Sequence, residues 1–467
     1  EQSERIGGCC STFEKDGYHF DLGASVVEVI QPIQRAFAAL GSSLAAELEL
    51  IPCDPVMSTI YRDGSRVNTP LSIAEAEAEL AKLSPEDARR WRDFVAYFAE
   101  FTEVALETLF NEPANDLADI AYMIRKDKRL VKFLPDMLAT YEDVLLRFFK
   151  HPQVLRMMAY QSLYFGLPPE LVPGLFALIP YTEHLGVYYP RGGMIAIPRA
   201  LQRCGERFGM ETRLKTRVQR VLLRGRRVVG VRLSDGSEIA CRLIVSNVNA
   251  KTLYLDMIGE EHLPWLARVG VKSYRYSKGV PMIYIGVDYE PPLTAHHSII
   301  GVTPQEVDSY WWNNVKRGTL PAEPFGLICW PTRSDPNLAP KGHHVLNLIP
   351  EGFYHLRGTD WDAEKPRFVE NVINYLSSFA VPGLAEHVKV QECATPLDFE
   401  RRLLLPEGAI YALQQDMTAQ AVFRPAARSK SIAGLYLTGS STHPGGGVPT
   451  TITSGIIAAR LIEKYEP

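Results

Sequence analysis

A run of three glycines near the carboxyl end, Gly445 to Gly447, constrains this chain more than any other feature. It follows a strand-like segment, Leu435-Tyr436-Leu437, and is closely followed by Pro449. Glycines leave no side chain where a backbone lies against something flat or charged. Residues 450 to 462 are predicted to form a helix, whose free N–H groups would face the loop and suit an anion or a polar ring edge. For a lone glycine triplet, a tight turn before a helix is the alternative.

The first residues of the chain favour a dinucleotide ligand for this loop. Arg5-Ile6-Gly7-Gly8 comes shortly after the acidic Glu1, and Gly17-Tyr18-His19-Phe20-Asp21-Leu22-Gly23 follows. An acidic residue at the end of a strand suits the ribose hydroxyls of a dinucleotide. The Gly7-Gly8 pair would let the backbone approach a pyrophosphate.

Together these segments resemble the FAD-dependent carotenoid desaturase and isomerase family of the amine oxidase superfamily, which includes phytoene desaturase, carotenoid isomerase and retinol saturase relatives. Tyr188–Met194, Thr395–Phe399 and Phe423–Pro425 also have counterparts there, so the resemblance spans essentially the whole chain. It implies an α/β fold (α+β overall). The expected parts are a Rossmann-like FAD-binding domain, a mixed-sheet substrate domain and a helical membrane-associating insert.

The resemblance also implies which residues hold FAD. We expect the backbone at Val218 to meet the adenine, and Ser440 to lie by the ribityl chain or the pyrophosphate. The full set of expected cofactor-binding residues is Glu1, Arg5, Gly7, Gly8, Val218, Gly439, Ser440, Gly446, Gly447 and Val448.

Two departures from the family pattern bear on these expectations. No G-x-G-x-x-G turn precedes Glu1, so the resemblance predicts that the family's first βαβ unit, roughly 30 residues long, is missing. Whether this polypeptide holds FAD is therefore left open. Cys9-Cys10-Ser11 stands where many desaturases carry a basic residue after the glycine pair, which leans toward the isomerase branch.

The order of patterns predicts a discontinuous arrangement of segments. A helix start at Ser84-Pro85-Glu86-Asp87 opens an insert expected over 84–185, and period-two segments from 218 to 246 predict a β-meander with an Asp235-Gly236 turn. The FAD-binding segments are expected at 1–60, 186–250 and 396–467, and the substrate segments at 61–83 and 251–395.

Composition excludes several other classes of protein. The net charge of −4 argues against a nucleic acid partner. Seven scattered cysteines, without a C-x-x-C, favour a reducing compartment with neither disulfides nor zinc. His343 and His344 are expected to point to opposite sides of a strand, so we expect no metal site. The sequence contains no run of 18 apolar residues, so we expect no transmembrane helix. We expect a cytoplasmic protein that is peripheral to a membrane.

The insert suggests the substrate. Met123 to Pro135 joins five basic residues to bulky apolar ones, a composition that suits a bilayer surface; a solvated helix face is the alternative. Phe165–Pro169 and Val172–Pro180 are apolar segments broken by prolines. A pocket lined in this way suits a long hydrocarbon.

The chemistry implied by the resemblance is hydride transfer from a polyene C–H bond to flavin N5, a reactivity that the cofactor supplies. The most favoured function is phytoene or carotenoid desaturation, with an electron acceptor that the sequence does not identify. Carotenoid cis-trans isomerisation and retinol-type saturation remain alternatives. A prenyl-lipid-binding protein resembling Rab GDP-dissociation inhibitor is the alternative of another class.

No catalytic residue follows from the sequence, because the flavin carries the chemistry. The weak candidates are His443, Glu142, Asp143 and Glu183. For the three acids the alternative is a surface or capping role, and for His443 it is a hydrogen bond to the backbone.

Overall fold

The computed structural model describes residues 1–416 and 423–466, so residues 417–422 and 467 of the predicted third FAD-binding segment lie outside the described residues. The first part of the chain contains short strands and two helices: β1 (Thr12–Lys15), β2 (Tyr18–Asp21), β3 (Val27–Glu28), α1 (Gln31–Ala39), α2 (Leu44–Glu47), β4 (Leu50–Pro52), β5 (Met57–Ile60) and β6 (Arg66–Thr69). β1 and β2 form a hairpin whose turn, Asp16-Gly17, has positive φ at both residues (52° and 81°), as two-residue hairpins favour.

Helices dominate the next hundred residues. They are α3 (Ile73–Leu83), α4 (Pro85–Glu107), α5 (Leu117–Lys126), α6 (Leu130–Leu138), α7 (Tyr141–Phe148), α8 (Pro152–Ala159) and α9 (Ile179–Thr182), with 3-10 turns at Tyr160–Phe165, Gly174–Leu178 and Glu183–Leu185. The predicted start of α4 is confirmed, since the Asp87 N–H donates to Ser84 Oγ at 3.1 Å and Pro85 stands in the first turn. The aromatic face of α4 is buried in the core of this helical region through Trp91, Phe94, Phe98 and Phe101.

The predicted meander lies in the region that follows the helices. The elements of this region are β7 (Val187–Pro190), α10 (Ala196–Glu206), β8 (Val218–Arg224), β9 (Arg227–Leu233), β10 (Glu238–Ala240) and β11 (Ile244–Ser246). β8, β9 and β10 pair antiparallel, with the Asp235-Gly236 turn where it was expected. The sequence predicted one strand from Ile239 to Ser246. That strand is instead broken, because β11 leaves the meander and pairs in parallel with β17 (Leu435–Leu437).

The remaining elements build a large mixed sheet and its flanking helices. A π-helix (Thr252–Gly259) and α11 (Trp265–Ser273) precede β12 (Met282–Val287), β13 (His297–Ile300), α12 (Pro304–Tyr310), β14 (Gly326–Cys329), α13 (Pro331–Ser334), β15 (His344–Pro350), α14 (Trp361–Ser377), α15 (Leu384–His387), β16 (Val388–Ala394), α16 (Pro396–Leu403) and, after β17, α17 (Val448–Tyr465).

Seven strands form this sheet within the described residues, in the order β16-β12-β15-β14-β13-β5-β6. β13 pairs in parallel with β5, and the other neighbours are antiparallel. The mixed sheet is therefore as predicted. Its β12 and β14 are buried along their whole length, as expected for strands covered on both faces. A smaller sheet, β3-β7-β4, joins the amino-terminal segment to the strand after the helices.

The basic segment from Met123 to Pro135 departs in one respect from its prediction. Met123, Leu130 and Phe133, expected at an acyl boundary, are buried in the core between the helices. The exposed apolar side chains of α5 and α6 are Leu117, Tyr122, Val131 and Leu138. None of the helices in residues 1–416 and 423–466 is long and apolar enough to cross a bilayer.

Candidate active site

A cavity of about 1080 Å³ runs through the interior of the protein. One end lies between the amino-terminal segment and the start of β8, and the middle passes the glycine loop before α17. The other end lies between the large sheet and the helices, where the wall is mostly apolar. Single small-molecule sites occupy roughly 300–1,000 Å³, so one continuous space has room for a cofactor and part of a second ligand.

The glycine loop forms the middle of the cavity wall. Gly445 and Gly447 have φ of 127° and 116°, a backbone that residues with a side chain rarely adopt. A Cβ on Gly446 would lie 2.5 Å from Cδ1 of Tyr411, so this position has no room for one. The helix begins at Val448, two residues before the predicted start, and Pro449 therefore stands in its first turn.

The start of α17 can receive a polar group. Its N-cap, Gly447, provides no side-chain hydrogen bond, so no capping side chain accepts a hydrogen bond from the first N–H groups of the helix. Val448 and Thr450 line the cavity, while Thr450 Oγ1 donates to the carbonyl of Gly446 at 2.7 Å and fixes the turn. This arrangement suits a polar ring edge or a negative charge at the loop.

A buried arginine supports the loop from behind. Arg424 donates from Nε to the carbonyl of Thr442 at 3.3 Å and from Nη2 to the carbonyl of Ser440. Burial lowers the pKa of its guanidinium to about 10. Because both acceptors are loop carbonyls, Arg424 determines the path of the segment that leads into the glycines.

The predicted nucleotide residues of the first segment lie at one end of the cavity, with one exception. Glu1, Gly7, Gly8 and Val218 line it. Gly7 and Gly8 have φ of 104° and 54°, and a Cβ on Gly8 would meet nothing within 4 Å. Arg5 is not among the lining residues; its Nη1 donates to the carbonyl of Thr12 at 3.2 Å, and its Nη2 lies 3.3 Å from a carboxylate oxygen of Glu4.

These features fit FAD. Gly8 presents bare backbone to the cavity, Gly446 and Gly447 line it without a side chain, and the uncapped start of α17 presents N–H groups beside them. Gly439, Ser440, Gly446, Gly447 and Val448 all line the same space. The complete set of expected contacts stays a prediction.

Asp21, from the segment that carries much of the resemblance, has a structural position. It is buried and accepts hydrogen bonds from Thr12 Oγ1 (2.7 Å), Tyr189 Oη (2.6 Å) and the Met194 N–H (2.8 Å). Burial raises the pKa of this carboxyl, and the three hydrogen bonds act against the rise. Asp21 thus ties β2 to β7 and to the turn before α10, next to the cofactor end of the cavity.

Three of the four weak catalytic candidates lie away from the cavity wall and have local contacts. The ring of His443 bonds through Nε2 to the carbonyl of Leu109 at 2.7 Å, and burial lowers its pKa to about 4. This is the backbone role weighed as its alternative. Asp143 completes a capping box with Thr140 at the start of α7. Glu142 lies with Glu170 and Asp308 in a half-buried group of acids.

That acidic group is the one place in residues 1–416 and 423–466 where three such side chains could approach a metal ion. Burial and the neighbouring Glu170 raise the pKa of Asp308 to about 8. His343 lies just before β15, which begins at His344, and the two rings have different partners. His343 Nδ1 lies 2.5 Å from Tyr18 Oη, whereas His344 Nδ1 accepts from Trp330 Nε1 at 3.3 Å.

The fourth candidate, Glu183, is buried beside the cavity and interacts with a residue that the sequence did not single out, Glu28. Other polar side chains in the wall were missed as well. They are Lys278, His297, Glu351 and Gln415. Lys278 and Glu351 form an ion pair with 5% of each side chain exposed, and His297 Nε2 lies 3.0 Å from Ser25 Oγ. A clue was present in the sequence, because Glu28 interrupts the apolar run from Val26 to Ile30.

The apolar end of the cavity agrees with the prediction made from the proline-broken segments. Phe165, Phe176, Leu178 and Ile179 line it. Cys9 and Cys10, which leaned toward the isomerase branch, also line the cavity, and burial raises the pKa of their thiols to about 11 and about 12. Both are therefore neutral thiols with little nucleophilic character.

Comparison with known proteins agrees with this geometry. The family model described as flavin containing amine oxidoreductase matches residues 1–463. The zeta-carotene-forming phytoene desaturase of Myxococcus xanthus is 27% identical, over 99% of this chain and 88% of that protein. The neurosporene-forming phytoene desaturase of Rhodobacter capsulatus is 29% identical, with the same coverage.

Solved structures share the fold. An oxidoreductase from Methanosarcina mazei matches with a TM-score of 0.62 and 13% identity, over 99% of this chain and 93% of that one. A fatty acid isomerase from P. acnes that produces CLA matches with a TM-score of 0.60 and 11% identity, over 100% and 91% of the two chains. At these identities the likeness concerns the fold alone.

Proposed function

Because the chain belongs to the family of flavin containing amine oxidoreductases, we propose that it desaturates a long polyene of the phytoene type. The predicted resemblance, the FAD cofactor and the class of enzyme are confirmed by the family match. The substrate rests on the relatives' activity together with one observation, the continuity of the cavity from the glycine loop to an apolar end.

The residues of the cavity suit a cofactor in one part and a hydrocarbon substrate in another. Bare backbone at Gly8 would let the dinucleotide lie close to the chain, and the glycine loop lines the cavity where the ring is expected. When bound, FAD supplies the acceptor for the hydride that leaves the polyene. The apolar wall around Phe165 and Phe176, whose ring centroids lie 4.2 Å apart, would hold the hydrocarbon by burial and exclude water.

The direct test is pigment formation. The protein, with its flavin content checked by absorbance, is produced in bacterial cells that make phytoene, and the extracted pigments are separated and identified by their absorbance. We expect products with longer conjugation. A Gly446→Val variant, whose side chain would occupy the place of Tyr411, is the matched negative control.

Unchanged phytoene in the presence of flavin-loaded protein would contradict this substrate. The same cells supplied with poly-cis carotenoids or retinol then test the isomerase and saturase alternatives, which no specific feature of the cavity favours. A protein without flavin that still co-purifies with a prenyl lipid would support the non-enzymatic alternative.

We further propose that α5 and α6 form the face that meets a membrane, since a phytoene-type substrate resides there. Leu117 and Leu138 are 76% and 78% exposed. Several cations of this region are paired with acids, for example Lys126 with Glu112 at 2.6 Å, so we expect apolar insertion to contribute more than charge. The cytoplasmic location stays a prediction.

Flotation with vesicles of neutral and anionic lipids tests this face. We expect the double variant Leu117→Ser and Leu138→Ser to lose most of the co-floating fraction. Phe208→Ser removes a side chain of similar exposure, 70%, elsewhere on the surface, and is expected to float as the wild type does. Equal flotation of all three proteins would refute the assignment.

A further inference from the structure

Two glutamates share the interior beside the cavity, although they lie far apart in the sequence. Glu28 ends β3 and lines the cavity. β3 pairs antiparallel with β7 through Glu28 and Val187, and Glu183 lies four residues before Val187. The two carboxylates repel each other. Strand pairing therefore holds both acids in one place.

This pair has few of the partners that usually accompany carboxylates in a protein interior. Glu183 is 3% exposed; its Oε1 has no hydrogen-bond partner, while a hydrogen bond to Gln161 acts to lower its pKa. Within residues 1–416 and 423–466 no hydrogen bond or ion pair reaches the Glu28 carboxylate. Buried charges are normally paired or hydrogen-bonded, so two acids left in this state are more typical of a functional site than of a structural one.

The backbone next to Glu28 is strained. Val29 has a φ of 51° and lines the cavity. A β-branched residue in the left-handed region is an outlier, and such strain concentrates where the surrounding structure fixes a functional geometry. Here the left-handed turn ends β3 directly after Glu28.

Glu28 also lies on the side of the cavity that contains the glycine loop. β3 packs against α17. Tyr411, which covers Gly446, experiences the charge of Glu28. The acid pair is therefore close to the position where the flavin ring is expected.

The titrating groups around Glu28 leave it able to exchange a proton. Those that face it are Glu183, Tyr164 and Tyr411, and the Lys278–Glu351 pair lines the same cavity. Burial raises the pKa of Glu28 to about 7, while burial and the charge of Glu28 raise the pKa of Glu183 well above its ordinary range. When two carboxyl groups share a site, their negative charges repel, so the pKa of one of them is raised and full ionisation of the pair is disfavoured. Glu28 is the member of the pair that is open to the cavity.

We propose that Glu28 accepts the proton in the desaturation, and that Glu183 positions it; this inference rests on the proposed function. One substrate C–H bond breaks with its electron pair, which leaves with the hydrogen to the flavin. The neighbouring C–H bond breaks without its pair, the proton passes to the Glu28 carboxylate, and the remaining pair forms the new C=C bond. The substrate loses two electrons and the flavin gains two.

The test combines a measurement without substrate and one with it. In FAD-loaded protein alone, infrared difference spectra record the C=O band of protonated carboxyl groups as the pH changes. With phytoene in vesicles, anaerobic stopped-flow absorbance records the loss of flavin colour in a single turnover. The variants are Glu28→Gln, Glu183→Gln and, as control, Glu370→Gln, an exposed acid on α14.

We expect the wild-type band to titrate near neutral pH and to be lost in Glu28→Gln. The flavin should lose its colour at least about 100-fold more slowly in that variant, the usual contribution of a general base. In Glu183→Gln the burial of Glu28 still raises its pKa, so the rate should still rise with pH near neutral, but to a lower maximum because the base is held less firmly. Glu370→Gln should match the wild type in both measurements.

A Glu28→Gln protein that reacts within threefold of the wild type, or a wild type without a carboxyl band near neutral pH, would overturn the role of Glu28 alone. A wild type that leaves flavin colour unchanged with phytoene would overturn the proposed function together with this role. If Glu28→Gln does not fold, Glu28→Asp replaces it; the shortened acid should retain the band and react at an intermediate rate.

Discussion

Gly446→Ala is the change whose consequence the structure determines most closely. Gly446 has no left-handed φ, so its backbone tolerates alanine. The added Cβ would instead lie 2.5 Å from Cδ1 and 3.0 Å from Cγ of Tyr411. Non-bonded carbons prefer roughly 3.5–4.0 Å, so the tyrosine ring has to move by about 1 Å into a packed wall.

Overpacking of this kind costs about 1–3 kcal/mol. We expect a loss of unfolding free energy in that range, measured by urea denaturation, and weaker FAD binding, measured by the quenching of flavin fluorescence. Gly455→Ala, in the helix that follows the loop, is the matched control, because a Cβ there meets nothing within 4 Å. It should be neutral or stabilising by up to about 1 kcal/mol, the difference in helix propensity.

A double-mutant cycle tests the stated cause. Tyr411→Ala removes the ring atoms that the new Cβ would strike, although the Tyr411 Cβ, also 3.0 Å away, remains. We therefore expect most of the cost of Gly446→Ala to vanish in the Tyr411→Ala background. Independent positions add to within about 0.3–0.5 kcal/mol. Additive losses in the cycle would refute the collision and point to the loop backbone instead.

Three further changes test the buried charges. Arg424→Met removes charge-assisted hydrogen bonds to the loop, including the one to Ser440, and should cost about 1.5–3 kcal/mol for each bond in urea denaturation; an unchanged midpoint would contradict the supporting role. Because the pKa of Glu28 is raised from 4.5 to about 7, its burial favours the folded state below about pH 4.5 and this advantage is lost as the pH rises toward 7. At roughly 1.4 kcal/mol per pKa unit, Glu28→Gln should gain about 3 kcal/mol relative to the wild type over that interval, and a constant difference would argue against the shift. Lys278→Met should destabilise by about 3–5 kcal/mol, since it leaves Glu351 buried and unpaired, and Glu351→Leu in the same chain should restore most of the loss.

Local sequence patterns were sufficient for many elements of this fold. The Ser84 cap, the Asp235-Gly236 turn and the helix after the glycine loop depend on neighbours within a few residues, and short-range rules describe such features well. The predicted start of α17, residue 450, is two residues late, because the prediction places Pro449 before the helix whereas the helix begins at Val448. Proline is favoured in a first turn.

The break between β10 and β11 was not foreseen, because Ile239 to Ser246 has one continuous strand pattern. Its second half is drawn away by β17, almost 200 residues later, through the parallel pairing of Val245 with Tyr436. Likewise, Met123 and Phe133 belong to a segment whose composition suits a membrane surface, yet they complete a core with α4. In both cases a distant partner overrides a local preference.

The polar wall of the cavity could not be inferred from the sequence for the same reason, since Glu28, Lys278 and Glu351 belong to separate segments. Their arrangement still bears on the hydride transfer. Lys278 and Glu351 form an ion pair, whereas no cation of residues 1–416 and 423–466 is paired with Glu28, which lines the same cavity. The loss of a hydride leaves positive charge on the polyene, and a fixed negative charge in a water-poor cavity stabilises it. The start of α17 favours negative charge at the ring on the other side. Both fields stabilise the charges that develop as a hydride passes between the polyene and the flavin, so they would assist this step in a desaturase and in a saturase alike.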